Sequence, residues 1–84
     1  MEEQVTLYTS NNCPACEMAK RWLKRHNIGF VEINLSDHEE QATRLARMGL
    51  LGAPVLEFAG DYILGFSPAH WARVLQSIGG DQGE

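Results

Sequence analysis

Cysteine is scarce in this 84-residue chain: there are two, Cys13 and Cys16, separated by Pro14 and Ala15. A small secreted domain held by disulfides carries four or more cysteines spread along its length, so this pattern argues against a disulfide scaffold. A bridge between such close neighbours also closes too small a loop to stabilise a fold through chain entropy. Long apolar runs are absent. None approaches the ~18 residues of a membrane-crossing helix, so no membrane partner is expected. Positive charge is in short supply, with 7 Lys and Arg against 11 Asp and Glu, a formal balance of −4. Phosphate recognition needs a basic face, and nucleic acid is therefore not expected as a partner. The start, Met1-Glu2-Glu3-Gln4, has neither the basic nor the apolar segment of a secretory signal. The histidines, His26, His38 and His70, have no companions at metal-ligand spacing, so no metal is expected. Together these absences point to the cytoplasm and to a cysteine pair available for reversible redox chemistry.

Hydrophobic residues make up 44% of the chain, enough for a globular core. A chain of this length hides only about 60–65% of the surface its unfolded form exposes, so one compact core is expected. No repeat or linker divides it. Residues 1–79 read as one redox domain and residues 80–84 as a flexible acidic tail.

Gln4 to Thr9 is β-rich and is followed by the turn-prone Ser10-Asn11-Asn12. Pro14 suits the first position of a helix that runs to about Asn27. Ala15, Ala19, Trp22 and Leu23 share one arc of that helix, Met18 and Cys16 flank it, and Glu17, Lys20, Arg21, Lys24 and Arg25 lie opposite. Phe30 to Leu35 reads as a second strand. Ser36 and Glu39 have the spacing of a capping box, predicting a helix that starts there, buries Ala42, Leu45 and Ala46, and stops near Gly49. Pro54 to Phe58 and Tyr62 to Leu64 form a hairpin around Ala59-Gly60-Asp61. Ser67-Pro68 opens a last helix that buries Trp71, Val74, Leu75 and Ile78 and ends at Gly79-Gly80. The order β-α-β-α-β-β-α implies a parallel opening pair and a closing antiparallel hairpin, hence a four-stranded mixed sheet. With a Cys-x-x-Cys after the first strand, this α/β order is that of a thioredoxin fold in its short form.

Cys13 stands at a helix start, where unpaired backbone N–H groups and the helix dipole favour negative charge. Those effects lower a thiol pKa, and the thiolate is the reactive form. Cys13 is therefore expected to attack, and Cys16, one turn further in, to resolve a mixed disulfide. The competing readings are half of a metal site or two inert thiols. Lys20 follows Cys16 by one helical turn and is placed either to support a thiolate or a partner's carboxylate, or simply to be solvated. Ala53-Pro54 opens a strand, where proline is tolerated, and a trans bond is the default for any X-Pro. Gly65-Phe66-Ser67-Pro68 reads either as an ordinary loop and cap or as a partner-accepting surface with Phe66 partly exposed. Trp22 and Trp71 are expected in the core, His26 at the helix end, and His38 and His70 in solvent. Asp37, Glu39 and Glu40 suit a helix's first turn. Tyr8 is placed either to line the site or to pack.

From Val5 to about Ile78 the chain resembles the glutaredoxin family. Cys13-Pro14-Ala15-Cys16 with Ala19-Lys20 is similar to the family's Cys-Pro-Tyr-Cys-x-x-Ala-Lys, and Ala53-Pro54 stands where the family has Val-Pro with a cis bond. Tyr8-Thr9, Asn12-Cys13, Pro54-Val55, Ala59-Gly60-Asp61 and Gly65-Phe66-x-Pro68 resemble the NrdH-redoxins, the glutaredoxin-like electron donors of ribonucleotide reductase. The departures are informative. Glutathione-using members carry a second glycine where this chain has Phe66, then a polar or acidic pair where it has Ser67-Pro68. The family tyrosine is Ala15, and the family threonine before Val-Pro is Gly52. The subgroup's usual Val-Gln or Met-Gln between the cysteines is Pro14-Ala15 here.

The resemblance implies a cytoplasmic, monomeric dithiol oxidoreductase that reduces protein disulfides, with ribonucleotide reductase among the candidate partners. It implies no resident cofactor. Electrons come from a thioredoxin reductase and NADPH or, alternatively, from glutathione. A further alternative is an iron–sulfur cluster held between two subunits by Cys13. The expected partner surface comprises Pro14, Ala15, Lys20, Ala53, Pro54, Gly65 and Phe66.

Overall fold

The structure is a computed structural model that describes residues 4–76. Four strands form one sheet: β1 (Thr6–Thr9), β2 (Val31–Asn34), β3 (Val55–Phe58) and β4 (Asp61–Leu64). Three helices complete the fold: α1 (Pro14–Arg25), α2 (Glu39–Arg47) and α3 (Pro68–Val74). The strand order is β2-β1-β3-β4. β1 and β2 are parallel, which requires the α1 crossover between them, and the other two pairs are antiparallel. This is the thioredoxin fold with the mixed sheet expected from the element order.

The side-chain alternation of the strands sorts the core into two layers. Val5, Leu7, Leu56 and Phe58 face α1 and α3, where they meet Ala19, Leu23, Ile28, Trp71 and Leu75. Tyr8 and Val55 face the other way and meet Leu45 of α2. Because helices cover both faces, every residue of β1 is buried and its sequence shows little polar alternation. The edge strands β2 and β4 are more exposed, and the charged and amide side chains of Glu32, Asn34 and Asp61 lie there.

Three expectations need correction. Ser36 does not cap α2. The helix begins at Glu39 with His38 at its N-cap position, and no side chain caps it. Asn34 Oδ1 takes the Ser36 N–H at 2.8 Å, and the next backbone bonds, Asp37 N–H to Asn34 O and His38 N–H to Leu35 O, form turns before the helix starts. The buried side of α2 is also narrower than expected: Leu45 is fully buried, Ala42 is half-buried and Ala46 is exposed. On α1 the buried line is Cys16, Ala19 and Leu23, while Ala15 and Trp22 are half-buried. The buried arc is thus rotated toward Cys16, which sits in the core instead of at its margin.

The last helix starts at Ser67-Pro68 as expected, although the Ser67 side chain makes no capping bond. Ile78, the Gly79-Gly80 stop and the tail at 80–84 lie outside the described residues. Among those described, no helix is long and apolar enough to cross a membrane.

Candidate active site

Cys13 occupies the N-cap of α1 with extended backbone (φ −123°, ψ 95°), and Pro14 follows in the first turn. The Cys13 carbonyl accepts the N–H groups of Cys16 and Glu17 at 3.0 and 3.2 Å. Its sulfur accepts the same Cys16 N–H at 3.1 Å, so a side-chain sulfur takes the place of the usual capping oxygen. Cys13 and Cys16 are joined in a disulfide with their Cα atoms 5.2 Å apart. The two sulfurs differ in access. Cys16 is 1% exposed, whereas Cys13 is half-buried at the surface. Of the two sulfurs, that of Cys13 is the one at the helix start, where the unpaired N–H groups and the dipole favour negative charge.

The loop before Cys13 is tied to the end of β2. Asn11 N–H donates to Ser36 Oγ at 3.1 Å, and Asn34 Nδ2 donates to Asn11 Oδ1 at 3.0 Å. Asn12 takes the left-handed conformation (φ 55°), which asparagine tolerates better than most residues. Ser36 therefore braces the active loop and not α2.

Opposite Cys13 stands Ala53, whose carbonyl oxygen is 3.9 Å from the Cys13 sulfur. The Ala53–Pro54 bond is cis, as the family resemblance implies, and Pro54 is fully buried. The Pro54 carbonyl accepts Gly65 N–H at 2.7 Å, so the end of β4 is held against the proline. Gly65 has φ 93°, a conformation that needs glycine, and its own carbonyl accepts Trp71 Nε1–H at 3.2 Å. Phe66 then turns onto the helices, edge-on to Trp71 and Trp22 with centroids 5.1 and 6.4 Å away. It is half-buried. The structure thus brings together Cys13, Pro14, Ala15, Cys16, Ala53 and Pro54, with Gly65 tied to Pro54, whereas Phe66, next to Gly65, packs on Trp22 and Trp71. His26 lies at the end of α1 with its ring 4.2 Å from that of Trp22.

Lys20 is placed differently from the rest. Its Nζ is 3.2 Å from Glu17 Oε2 and 3.3 Å from Glu32 Oε2. The Glu17 carboxylate, and then that of Glu32, hold its ammonium above the usual lysine range. The same Glu32 Oε2 accepts the hydroxyl of the buried Thr9 at 2.8 Å. Glu32 was invisible as a site neighbour in the sequence, because only the β1–β2 pairing carries it across to Thr9. Tyr8 lies on the opposite face. Its hydroxyl donates to Glu57 Oε1 and accepts from Arg44 Nη2 at 3.1 Å, so it packs against α2 and does not line the site. Burial, with the Glu57 carboxylate second, pushes its phenol above the ordinary tyrosine value.

The chain is similar to known proteins in sequence and fold. The glutaredoxin family model matches residues 5–63. The glutaredoxin-like protein NrdH of Lactococcus lactis subsp. cremoris is 39% identical over 70 residues, covering 83% of this chain and 97% of that one. An uncharacterised glutaredoxin-like 8.6 kDa protein in the rubredoxin operon of Clostridium pasteurianum is 31% identical over 75 residues, covering 86% and 97%. Among solved structures, the glutaredoxin-like NrdH-redoxin of Escherichia coli superposes with a TM-score of 0.80 at 30% identity, covering 84% of this chain and 93% of that one. Fold, cysteine geometry and sequence agree: the chain belongs to the glutaredoxin family, as an NrdH-like thiol–disulfide oxidoreductase built on the Cys13–Cys16 pair.

Proposed function

We propose that the protein is a dithiol electron carrier that reduces disulfides in protein partners and is recharged by a thioredoxin reductase. The difference in access between the two sulfurs carries this reading: Cys13 is within a partner's reach and Cys16 is 1% exposed. The Cys13 thiolate attacks one sulfur of the partner's disulfide, and the other leaves as a thiol after taking a proton. The Cys16 thiolate then attacks Cys13 sulfur, releasing the second partner thiol and leaving the Cys13–Cys16 disulfide. Two electrons pass to the partner in each cycle. Around Cys13 the surface is small and apolar, with Pro14, Ala15 and Ala53 leaving room for a partner's backbone.

Phe66 supports the choice of reductant. Its ring packs edge-on with Trp71 and Trp22 where glutathione-using members of the family carry a glycine. Filling that position removes space for the tripeptide's backbone. The Escherichia coli NrdH-redoxin is described as having a thioredoxin-like activity profile, which supports the same reading. The resemblance to NrdH-redoxins makes ribonucleotide reductase a candidate recipient in the cytoplasm. The test runs NADPH with thioredoxin reductase beside NADPH, glutathione and glutathione reductase, with a protein disulfide as acceptor. The expected result is turnover at least tenfold faster in the first system. Turnover confined to the glutathione system would reverse the assignment.

A further inference from the structure

Four of the chain's seven basic residues, Lys20, Arg21, Lys24 and Arg25, lie on α1 in a protein of net charge −4. Lys20 is paired with Glu17 and Glu32. Arg21 and Arg25 are exposed, and among the described residues they make no ion pair. These two arginines, with Met18, Trp22, Phe66 and Pro68, line an open groove of about 270 Å³. The floor is apolar: Met18 is 51% exposed, and the rings of Trp22 and Phe66 pack at 70° to one another with centroids 6.4 Å apart. Pro14, Met18 and Trp22 are spaced by four residues along α1, as are Arg21 and Arg25, so the groove and its cationic rim run down one side of the helix from the cysteine pair.

We infer that this groove binds the polypeptide flanking the partner's reactive cysteine, and that it selects a segment with an apolar side chain followed by carboxylates. The inference rests on the protein-disulfide reading above and specifies its substrate. Charge complementarity and direction decide the occupant. A chain leaving the mixed disulfide at Cys13 meets Pro14 and Met18 first, then Arg21 beside the Trp22–Phe66 floor, then Arg25. The arginines lie eight and twelve residues beyond Cys13. At a rise of ~1.5 Å per residue they stand about 12 and 18 Å along the helix. An extended peptide advances ~3.3 Å per residue, so its carboxylates fall at about the fourth and sixth positions from its cysteine. Each arginine offers a planar fork of donors suited to a carboxylate.

The test uses pre-reduced protein and three disulfide-linked peptides, followed as single turnovers by thiol release. All three have a phenylalanine after the cysteine, and Glu, Gln or Lys at the fourth and sixth positions. The chemistry balances without an external reductant, because the protein dithiol becomes the Cys13–Cys16 disulfide as each peptide disulfide becomes two thiols. The expected second-order rate for the Glu peptide exceeds that for the Gln peptide about two- to thirtyfold at low salt, the range for two exposed ion pairs. The Lys peptide is slowest, and the differences shrink toward unity at high salt. The doubly substituted Arg21→Ala, Arg25→Ala protein brings the Glu-to-Gln ratio to about one. Equal rates for all three peptides with the native protein, or a preference for Lys, would overturn the groove assignment while leaving the oxidoreductase intact. Failure to reduce any of them would overturn both.

Discussion

On one face of the sheet, β1 and β3 send Val5, Leu7, Leu56 and Phe58 into a layer closed by α1 and α3, with Trp71 fully buried at its centre. On the other face, β1 and β3 contribute Tyr8 and Val55, a single α2 side chain, Leu45, is fully buried, half-buried Ile33, Leu35 and Leu50 pack around them, and a polar link runs through Glu57, Tyr8, Arg44 and Tyr62. The first face carries the chemistry. Cys16 belongs to the buried line of α1, and the Gly65 carbonyl next to the cis-proline turn is held by Trp71 itself. The second face closes the fold without touching the cysteines. The difference teaches that active-site geometry here is set by the larger of the two buried layers, so stability and site shape share the same side chains.

That comparison is open to direct attack. An 84-residue domain has about 4–13 kcal/mol of total stability. Trp71→Ala removes the largest buried side chain and the donor to Gly65, and is expected to cost about 3–5 kcal/mol and to disturb the site. Chemical denaturation followed by circular dichroism measures it. Leu45→Ala empties the α2 face and is expected to cost about 2–4 kcal/mol, with single-turnover disulfide reduction preserved in the folded fraction. If Leu45→Ala slowed reduction more than Trp71→Ala, the two faces would have the opposite roles.

A smaller effect separates the polar link. The Tyr8 phenol is raised above its ordinary value, so the native state holds a proton that the unfolded state loses near pH 10. Its contribution is fully present below that pH and is lost as pH rises through the native value. Lys20, also raised, contributes in the same direction above about pH 10.5. Stability is therefore expected to fall from pH 10 upward, with a slope of up to about 1.4 kcal/mol per pH unit for the Tyr8 proton and a smaller part from the solvent-screened Lys20. Tyr8→Phe removes the tyrosine part of that slope, as urea titrations at pH 9 and pH 11 would show. The smallest effect is Glu32→Gln. It weakens a partly exposed pair with Lys20 and is expected to cost about 0.5–1 kcal/mol.

Much of this was readable in the chain. The order of elements, the helix opened by Pro14 and the final helix opened by Ser67-Pro68 follow from local rules that act within a few residues. The cis bond at Pro54 came from family resemblance, since residue type alone favours trans. Ser36 misled because its spacing to Glu39 is a helix-start pattern, but Asn34 Oδ1 competes for its backbone N–H and Asn11 claims its hydroxyl. Helical periodicity showed that α1 has a buried arc but left its rotation open, and a modest turn moved Cys16 from the margin into the core. Glu32 and the Trp22–Phe66 groove were hidden for another reason. They join residues 23 and 44 positions from their neighbours Thr9 and Trp22, and only the folded topology makes such pairs.

The central claim is the division of labour between the two sulfurs, and trapping tests it most directly. The Cys16→Ser protein, reduced and mixed with a peptide disulfide, is predicted to accumulate a covalent adduct through Cys13, seen as a mass shift equal to one peptide. Cys13→Ser under the same conditions is predicted to remain unmodified, because Cys16 is 1% exposed. An adduct that forms on Cys16 as readily as on Cys13 would contradict the account.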